Sequence, residues 1–213
     1  MPPLVLASAS PARLAVLRSA GIEPAVLVSG VDEDALVEAL GDTTPERVVT
    51  ELARAKAREV IPRLDPGIAA DCVVVGCDSM LSIDGALQGK PGTAGVARER
   101  WRSMAGHSAV LLTGHCVIRV EEGAAVAEQA DHSATTVHFG NPSPDELEAY
   151  LASGEPLQVA GAFTLDSLGG WFVERIEGDP SSVIGIGLPL VRSLLARLGV
   201  DVAALWRDSP APS

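Results

Sequence analysis

Short apolar runs alternate with helix-forming segments along the first hundred residues, and this alternation limits the fold more than any other feature. Residues 4–7 have the composition of a buried strand, and the three valines at 73–75 are the strongest strand signal. Between them, Ser10 is a good N-cap and Pro11 suits the first turn of a helix that ends at Gly21. Alternating strands and helices are typical of α/β proteins.

The later residues add longer strands to this pattern. Two strands are predicted at residues 110–120 and 124–139, on either side of a turn at residues 121–123. We therefore predict a mixed α/β fold with a strongly twisted sheet flanked by helices. The other predicted elements are strands at 25–28 and 171–176, a hairpin turn at Asp84-Gly85, and helices at 44–62, 94–104, 143–153 and 189–198.

The charge balance of the chain limits its partners. Its 213 residues include 16 basic and 28 acidic side chains, a net charge of −12 with histidine neutral. A surface this acidic repels polyanions, so we expect neither a nucleic acid polymer nor a membrane as a partner. A mononucleotide is compatible with this charge, because a divalent cation can bridge carboxylates to phosphates.

The length predicts one domain, placed at residues 1–207, and the polar, proline-rich residues 208–213 are expected to fray. No apolar run approaches the roughly 20 residues that cross a bilayer, and no basic N-terminal segment resembles a signal peptide. We therefore expect a cytoplasmic protein. Cys72, Cys77 and Cys116 lie in valine-rich runs and are expected to be buried free thiols without a chemical role.

Hydroxyl and guanidinium groups follow the first predicted strand, in the pattern Ser8-x-Ser10-x-x-Arg13. A helix N-terminus offers unpaired N–H groups and a partial positive charge, which suit a phosphate. Arg13, about one turn into the helix, can reach back to the same ligand. The alternative is a serine-capped helix with a solvated arginine, and this pattern alone does not separate the two.

Carboxylates follow two further predicted strands. The adjacent Asp32, Glu33 and Asp34 either bind a divalent cation, which relieves their mutual repulsion, or form an acidic loop on an acidic protein. Asp78 stands at the carboxyl end of the strand predicted around residues 73–75, where α/β proteins place ligand sites. Since a buried aspartate is costly unless it is paired or binds a metal, we interpret Asp78 as functional.

Two lysines complete the candidate set. Lys56 lies in the helix predicted at 44–62, and Lys90 precedes a proline in a predicted loop. Lysines can neutralise phosphoryl oxygens, although each of these alone is typical of a solvated surface residue. The four histidines have no metal-ligand spacing, and the sequence contains no Walker A loop, nucleophile elbow or Rossmann fingerprint.

The order and spacing of these weak signals are more specific than any one of them. Over residues 4–198 the chain resembles the Maf family of nucleotide pyrophosphatases. The resemblance is carried by Leu6-Ala7-Ser8-Ala9-Ser10-Pro11-x-Arg13, Val31-Asp32-Glu33, Ala55-Lys56-Ala57, Gly76-Cys77-Asp78-Ser79, Gly89-Lys90-Pro91, Tyr150-x-x-Ser153-Gly154-Glu155-Pro156, Ala160-Gly161-Ala162-Phe163 and Gly187-Leu188-Pro189-Leu190.

The resemblance implies a fold similar to the inosine-triphosphate pyrophosphatases, with a cleft between two lobes, and a homodimer. It implies hydrolysis of a nucleoside triphosphate between the α and β phosphates, with a divalent cation, Mg²⁺ or Mn²⁺. Asp78 would be the general base or metal-linked carboxylate, and Glu33 would help to hold the metal. The triphosphate would be bound and neutralised by Ser8, Ser10, Arg13, Lys56 and Lys90.

Three positions depart from the two known specificity branches of the family. The branch that cleaves dTTP and UTP has Arg, Thr and Gln there, and the branch that cleaves 7-methyl-GTP has Trp, Gln and Glu. This chain has Ala12, Ser79 and Asp166. The small Ala12 would loosen the base pocket, and Asp166 could accept N–H donors from a guanine-like edge. We therefore expect a relaxed or modified-base preference.

Two rival functions stay open at this point. One is a nucleotide-binding regulator of septum formation, a role associated with the family, which would bind nucleotides without turnover. The other is a phosphate-binding or phospho-sugar enzyme, which would explain the serine–arginine pattern but not Asp78. The retained carboxylates and lysines favour an enzyme that removes non-standard or surplus nucleotides.

Overall fold

A computed structural model describes residues 2–206 of the chain, and the predicted fraying at 208–213 lies outside them. Seven strands are found in the described part: β1 (Leu4–Leu6), β2 (Ala25–Val26), β3 (Asp71–Ile83), β4 (Ala86–Gln88), β5 (Ser108–Glu121), β6 (Ala124–Phe139) and β7 (Val173–Glu177). The α-helices there are α1 (Pro11–Ser19), α2 (Glu33–Leu40), α3 (Pro45–Val60), α4 (Pro66–Ala69), α5 (Ala94–Met104), α6 (Pro144–Ala152), α7 (Pro180–Ile184), α8 (Leu188–Arg197) and α9 (Val202–Trp206). Short 3₁₀ helices occupy Ile61–Arg63, Glu155–Gln158, Ala160–Ala162 and Leu168–Phe172.

The strands form one mixed sheet in the order β2-β1-β3-β5-β6-β7, with β4 paired to β3. β1 is parallel to both of its neighbours, and Leu6 is aligned with Val26 on one side and Val75 on the other. β4 and β7 run antiparallel to β3 and β6. This mixed sheet with flanking helices confirms the predicted α/β class. Among residues 2–206, no helix combines the length and the apolar character that a membrane span needs.

The described residues form two compact units. The first unit comprises residues 2–78, 113–133 and 185–206, and the second comprises residues 79–112 and 134–184. The core of the first unit is built from aliphatic and small side chains, including Val5, Ala53, Val74 and Ile118. The three cysteines are buried and free, as predicted.

The core of the second unit contains most of the aromatic side chains of this chain. The rings of Phe139, Tyr150 and Phe172 lie 5.6, 6.0 and 5.8 Å from the ring of Trp101. The Trp101 indole N–H donates to the carbonyl oxygen of Ala162 at 2.8 Å, which satisfies its one polar group. The edge-on arrangement of these rings adds stability beyond the area they bury.

Two glycines bring helix α3 into direct contact with the sheet of the first unit. A Cβ at Gly76 of β3 would lie 2.3 Å from the carbonyl oxygen of Ala53, and a Cβ at Gly114 of β5 would lie 2.0 Å from that of Val49. Both distances are far below van der Waals contact, so a larger residue would push the helix away. The close approach places Lys56 on the buried face of α3, beside β3.

Several predicted boundaries are wrong. β3 does not end at Asp78 but continues to Ile83, because residues 81–83 pair with β4 through the predicted Asp84-Gly85 hairpin. Asp84 and Gly85 have φ of +49° and +82°, the left-handed pair that such a turn requires. The acidic residues after Asp32 begin a helix, α2, that the sequence interpretation missed. The strand predicted at 171–176 begins only at Val173, because a 3₁₀ helix covers Leu168–Phe172.

Candidate active site

The N-terminus of α1 gathers hydroxyl and guanidinium groups in a serine–arginine corner, formed by Ser8, Ser10 and Arg13. Ser10 is the N-cap, and its Oγ accepts the backbone N–H of Arg13 at 3.4 Å. The buried Ser8 Oγ accepts the N–H of Ser10 at 3.2 Å and Nη1 of Arg13 at 3.0 Å. Arg13 Nε donates to the carbonyl oxygen of Gly185 at 2.9 Å. The guanidinium therefore turns back over the start of its own helix instead of extending into solvent.

A second group, the lysine–carboxylate cluster, consists of Glu33, Lys56 and Asp78. Lys56 Nζ lies 2.5 Å from Asp78 Oδ1 and 2.8 Å from Glu33 Oε1. The Lys56 and Asp78 side chains are 9% and 7% exposed, whereas that of Glu33 is 50% exposed. One ammonium group thus holds together a buried and an accessible carboxylate, contributed by β3 and by the first turn of α2.

The surroundings of Asp78 raise the pKa of its carboxyl group. Burial raises its pKa above the ordinary value, and the nearby Glu33 acts in the same direction, although Lys56 and Arg13 lower it. A carboxylate with a raised pKa accepts a proton more readily, as a general base must. Because the charge of Arg13 also reaches Asp78, the corner and the cluster share one electrostatic environment within the first unit.

The acidic triplet does not act as a unit. Asp32 caps α2, since its side chain accepts the N–H of Ala35 at 3.0 Å, and only Glu33 reaches Lys56. A capping aspartate followed by Leu36 and Leu40 at helical spacing was the signal that could have revealed α2. The triplet therefore forms the start of α2 rather than the acidic loop that was one of its two interpretations, with Asp32 as the cap and Glu33 in the lysine–carboxylate cluster.

The residues present nevertheless fit a divalent cation. Asp78 Oδ2 is buried and has no hydrogen-bond partner in the described part of the chain. Glu33 and Asp78 offer the hard carboxylate oxygens that Mg²⁺ and Mn²⁺ prefer. Across residues 2–206, no three His, Cys, Asp or Glu side chains lie close enough together to bind one metal ion.

The remaining predicted site residues belong to neither the corner nor the cluster. Ala12 is half-buried in the first turn of α1. The second unit contains Ser79, which follows Asp78 along β3, the exposed Lys90 after β4, and the exposed Asp166 between two 3₁₀ helices. The first unit therefore contains Ser8, Ser10, Ala12, Arg13, Glu33, Lys56 and Asp78 of the predicted set.

Lys90 is exposed in the loop that follows β4 in the second unit. The carbonyl oxygen of Gly89, the preceding residue, accepts Arg100 Nη1 at 2.5 Å and the N–H of Gly161 at 3.2 Å. Two donors on one carbonyl hold the backbone beside Lys90 in place. The exposed Lys90 side chain therefore extends from a held backbone, which suits a residue that meets a charged ligand.

Sequence reasoning missed a buried histidine in the first unit. His115 Nε2 accepts the N–H of Gly187 at 2.8 Å, two residues beyond the carbonyl that holds Arg13. Burial, and then the charge of Arg13, lower the pKa of His115 to about 4, so the ring stays neutral and remains an acceptor. No local sequence pattern predicts this hydrogen bond, because His115 and Gly187 are 72 positions apart in the chain.

The fold and the site define a mixed α/β protein whose first unit contains both a serine–arginine corner and a lysine–carboxylate cluster. The family model described as Maf-like protein matches residues 3–198 of this sequence. The chain belongs to the Maf family, as the motifs predicted.

Relatives in three bacterial genera resemble the chain over almost its whole length. A protein of Rhodococcus opacus is 74% identical, with 98% of each chain covered. One of Nocardia farcinica is 71% identical, with 96% of each chain covered. One of Mycobacterium leprae is 58% identical, with 97% of this chain and 98% of the relative covered. All three are named nucleoside triphosphate pyrophosphatase.

Proposed function

We propose that this protein is a nucleoside triphosphate pyrophosphatase, which hydrolyses the anhydride between the α and β phosphates to a nucleoside monophosphate and pyrophosphate. The names of its relatives support this activity over nearly the full chain. The observation that carries the proposal is the lysine–carboxylate cluster, in which Lys56 Nζ lies 2.5 Å from Asp78 Oδ1 and 2.8 Å from Glu33 Oε1. A buried, basic carboxylate beside fixed positive charge is what hydrolysis of a polyanion by water requires.

In the proposed mechanism Asp78 is the general base. It takes a proton from a water molecule as the water oxygen bonds to one phosphorus of the α–β anhydride. The bond from that phosphorus to the bridging oxygen breaks, and the leaving phosphate takes the electron pair. Burial, which raises the pKa of Asp78, makes this proton transfer more favourable.

The positive groups have a separate task. Arg13 presents a planar guanidinium at a helix N-terminus, beside the hydroxyls of Ser8 and Ser10, where a phosphate binds well. Lys56 and Lys90 would neutralise the charge that develops on the phosphate oxygens. Each of these groups stabilises negative charge on the phosphates without taking or giving a proton.

We also propose a divalent cation, Mg²⁺ or Mn²⁺, as the cofactor. Glu33 and Asp78 would hold it, because both are carboxylates and Asp78 Oδ2 is buried without a partner among the described residues. When bound, the cation would neutralise phosphate charge and make a coordinated water more acidic. Lys56 compensates the same carboxylates when no cation is bound.

The base preference follows from the departures at Ala12, Ser79 and Asp166. A methyl group at position 12 leaves more room than the Arg or Trp of the two known branches. The exposed Asp166 keeps an acceptor for the N–H groups of a guanine-like edge. The proposed substrates are therefore modified or non-canonical nucleotides. We also propose that the enzyme is a cytoplasmic protein and, as the family resemblance implies, a homodimer.

Pyrophosphate release tests the activity. The panel comprises canonical, methylated and deaminated nucleoside triphosphates with Mg²⁺ or Mn²⁺. Asp78→Asn should abolish release on every nucleotide. The matched control is Asp71→Asn, which changes an exposed aspartate of the same strand that pairs with Arg119. Tight nucleotide binding without turnover in the unsubstituted protein would instead favour the regulatory function, and a strict dTTP and UTP profile would refute the base preference.

A further inference from the structure

Glu155 is the centre of a hydrogen-bond cluster in the second unit. Its Oε2 accepts the Ser167 hydroxyl at 2.7 Å and the N–H of Leu168 at 3.3 Å. Its Oε1 accepts the Thr164 hydroxyl and the N–H of Gly169, the latter at 3.0 Å. One carboxylate therefore receives four donors, all of them from residues 164–169, which we call the clasped turn.

The carboxylate is held in its charged form. Burial alone would raise the pKa of Glu155, but the hydrogen bonds from Thr164, Ser167, Gly169 and Leu168 bring the pKa below its ordinary value. Hydrogen bonds to an ionised acceptor are roughly twice as strong as neutral ones. Four of them on one side chain make Glu155 the main anchor of a segment that has no regular secondary structure between Phe163 and Ser167.

The clasped turn is also tightly packed. A Cβ at Gly169 would lie 2.6 Å from both the backbone nitrogen and the backbone oxygen of Thr164, and a Cβ at Gly170 would lie 2.5 Å from the carbonyl oxygen of Leu165. The two ends of the turn are thus in backbone contact, which only glycine allows. A turn closed in this way limits the backbone conformations that are open to the residues within it.

Asp166 lies within the clasped turn. It stands between Thr164 and Ser167, and both of these donate to Glu155. The Asp166 side chain is exposed and has no hydrogen-bond or ion-pair partner among the described residues. The surrounding polar groups shape the turn, and Asp166 takes no part in the hydrogen bonds to Glu155.

We propose that Glu155 is a positioning residue for base selection, acting by holding the turn that presents Asp166 to the nucleobase. The inference rests on the proposed function, because it takes Asp166 as the residue that meets the base. Glu155 itself does not contact the substrate. It reduces the number of directions in which the Asp166 carboxylate can point, so an N–H donor on the base meets an acceptor that is already oriented.

The variant Glu155→Gln tests this directly. A glutamine keeps the volume but has one acceptor oxygen, and its NH₂ group would face two donors. Loss of one charge-assisted hydrogen bond corresponds to roughly tenfold in an equilibrium constant. We expect the ratio of kcat/KM between the two nucleotides that the unsubstituted protein distinguishes best to fall by about this factor, with kcat on the better nucleotide little changed.

Two further variants separate positioning from general damage. Glu148→Gln is the matched control, since Glu148 is a carboxylate of the second unit that pairs with Arg98 at 2.5 Å, outside the clasped turn. It should leave the ratio unchanged. Ser167→Ala removes one donor to Glu155 from the other side and should lower the ratio in the same direction by a smaller factor.

A double-substitution cycle identifies the route of the effect. If Glu155 acts through Asp166, the change in ratio caused by Glu155→Gln should vanish in an Asp166→Ala background. An effect of equal size in both backgrounds, or an unchanged ratio in Glu155→Gln, would overturn the inference.

Failure of the proposed function would be visible separately. If the unsubstituted protein releases no pyrophosphate from any nucleotide, the dissociation constants of two nucleotides are measured instead by equilibrium titration. The ratio of these two constants then replaces the ratio of kcat/KM. An unchanged binding ratio in Glu155→Gln then refutes the positioning role, and a lowered ratio that depends on Asp166 supports it without turnover.

Discussion

Lys56 Nζ lies 2.5 Å from Asp78 Oδ1, and both side chains are at least nine-tenths buried. The pair exists because Gly76, two residues before Asp78, lets α3 approach β3 to backbone contact. A buried charge pair gains Coulomb energy but loses hydration on both sides, so its net contribution to stability is small. Such a pair is better explained by a catalytic role than by a contribution to stability.

Removing one partner of this pair should be costly. Lys56→Met leaves Asp78 buried without its cation, and we expect the free energy of unfolding to fall by about 3–5 kcal/mol. In the double variant Lys56→Met/Asp78→Asn no unpaired charge remains, so much of this loss should be recovered. Urea denaturation of the single and double variants measures the coupling. Lys90→Met, at an exposed lysine, should change the free energy of unfolding by less than about 0.5 kcal/mol. Strict additivity of the two single variants would contradict the pairing.

Glu33 should be needed for metal-dependent turnover but not for folding. Its side chain is 50% exposed, so Glu33→Gln should reduce stability by no more than about 1 kcal/mol. Loss of a carboxylate ligand weakens cation binding, and we expect the Mg²⁺ concentration for half-maximal pyrophosphate release to rise about tenfold or more. The control is Glu38→Gln, at an exposed position of the same helix. Activity that survives chelation of all divalent cations would argue against any metal role for Glu33.

Arg13 should act through its geometry as well as its charge. Its Nη1 donates to Ser8 and its Nε donates to the Gly185 carbonyl, two directions that a lysine ammonium cannot serve together. We expect Arg13→Lys to lower kcat/KM for a nucleoside triphosphate by roughly 10- to 100-fold, mainly through KM. Arg18→Lys, on the same helix in an exposed ion pair with Glu23, is the control and should leave both constants unchanged. If Arg13→Lys retains full activity, the guanidinium geometry is not needed for the reaction.

The parts of the site that are local in sequence could be predicted. Ser10 caps α1 by accepting the N–H of Arg13, a residue only three positions away. Asp78 belongs to the valine-rich strand whose composition predicted its burial. The prediction that this strand ended at Asp78 failed, because β4 pairs with residues 81–83 and extends it. Pairing partners are set by the turn and by the whole sheet, and periodicity in one segment does not contain them.

The contacts that hold the site in place could not be predicted from one sequence. Arg13 and Gly185 are 172 positions apart, and neither residue type indicates the other. His115 stands in a mainly apolar strand, and no residue near it in sequence indicates its hydrogen bond to Gly187. Long-range hydrogen bonds of this kind follow from the packing of strands and helices, which sequence spacing does not specify.

His115 predicts a pH dependence of stability. Burial lowers its pKa to about 4, against 6.5 for the free side chain. Between pH 6.5 and about pH 4, His115 is protonated in the unfolded chain but not in the folded chain. The contribution of His115 to the free energy of unfolding is therefore complete above pH 6.5 and is lost as the pH falls from 6.5 to about 4. At 1.36 kcal/mol per pH unit, the loss attributable to His115 is on the order of 3 kcal/mol. Carboxylates also titrate in this range, so the prediction concerns a difference between proteins.

In His115→Asn the difference in free energy of unfolding between pH 7.5 and pH 4 should shrink by that amount, because asparagine offers an acceptor for Gly187 without titrating. Urea denaturation at both pH values measures this. His107→Asn, which makes the same substitution at an exposed histidine outside this contact, is the control. Identical pH dependences in all three proteins would mean that His115 is protonated as easily in the folded chain as in the unfolded one.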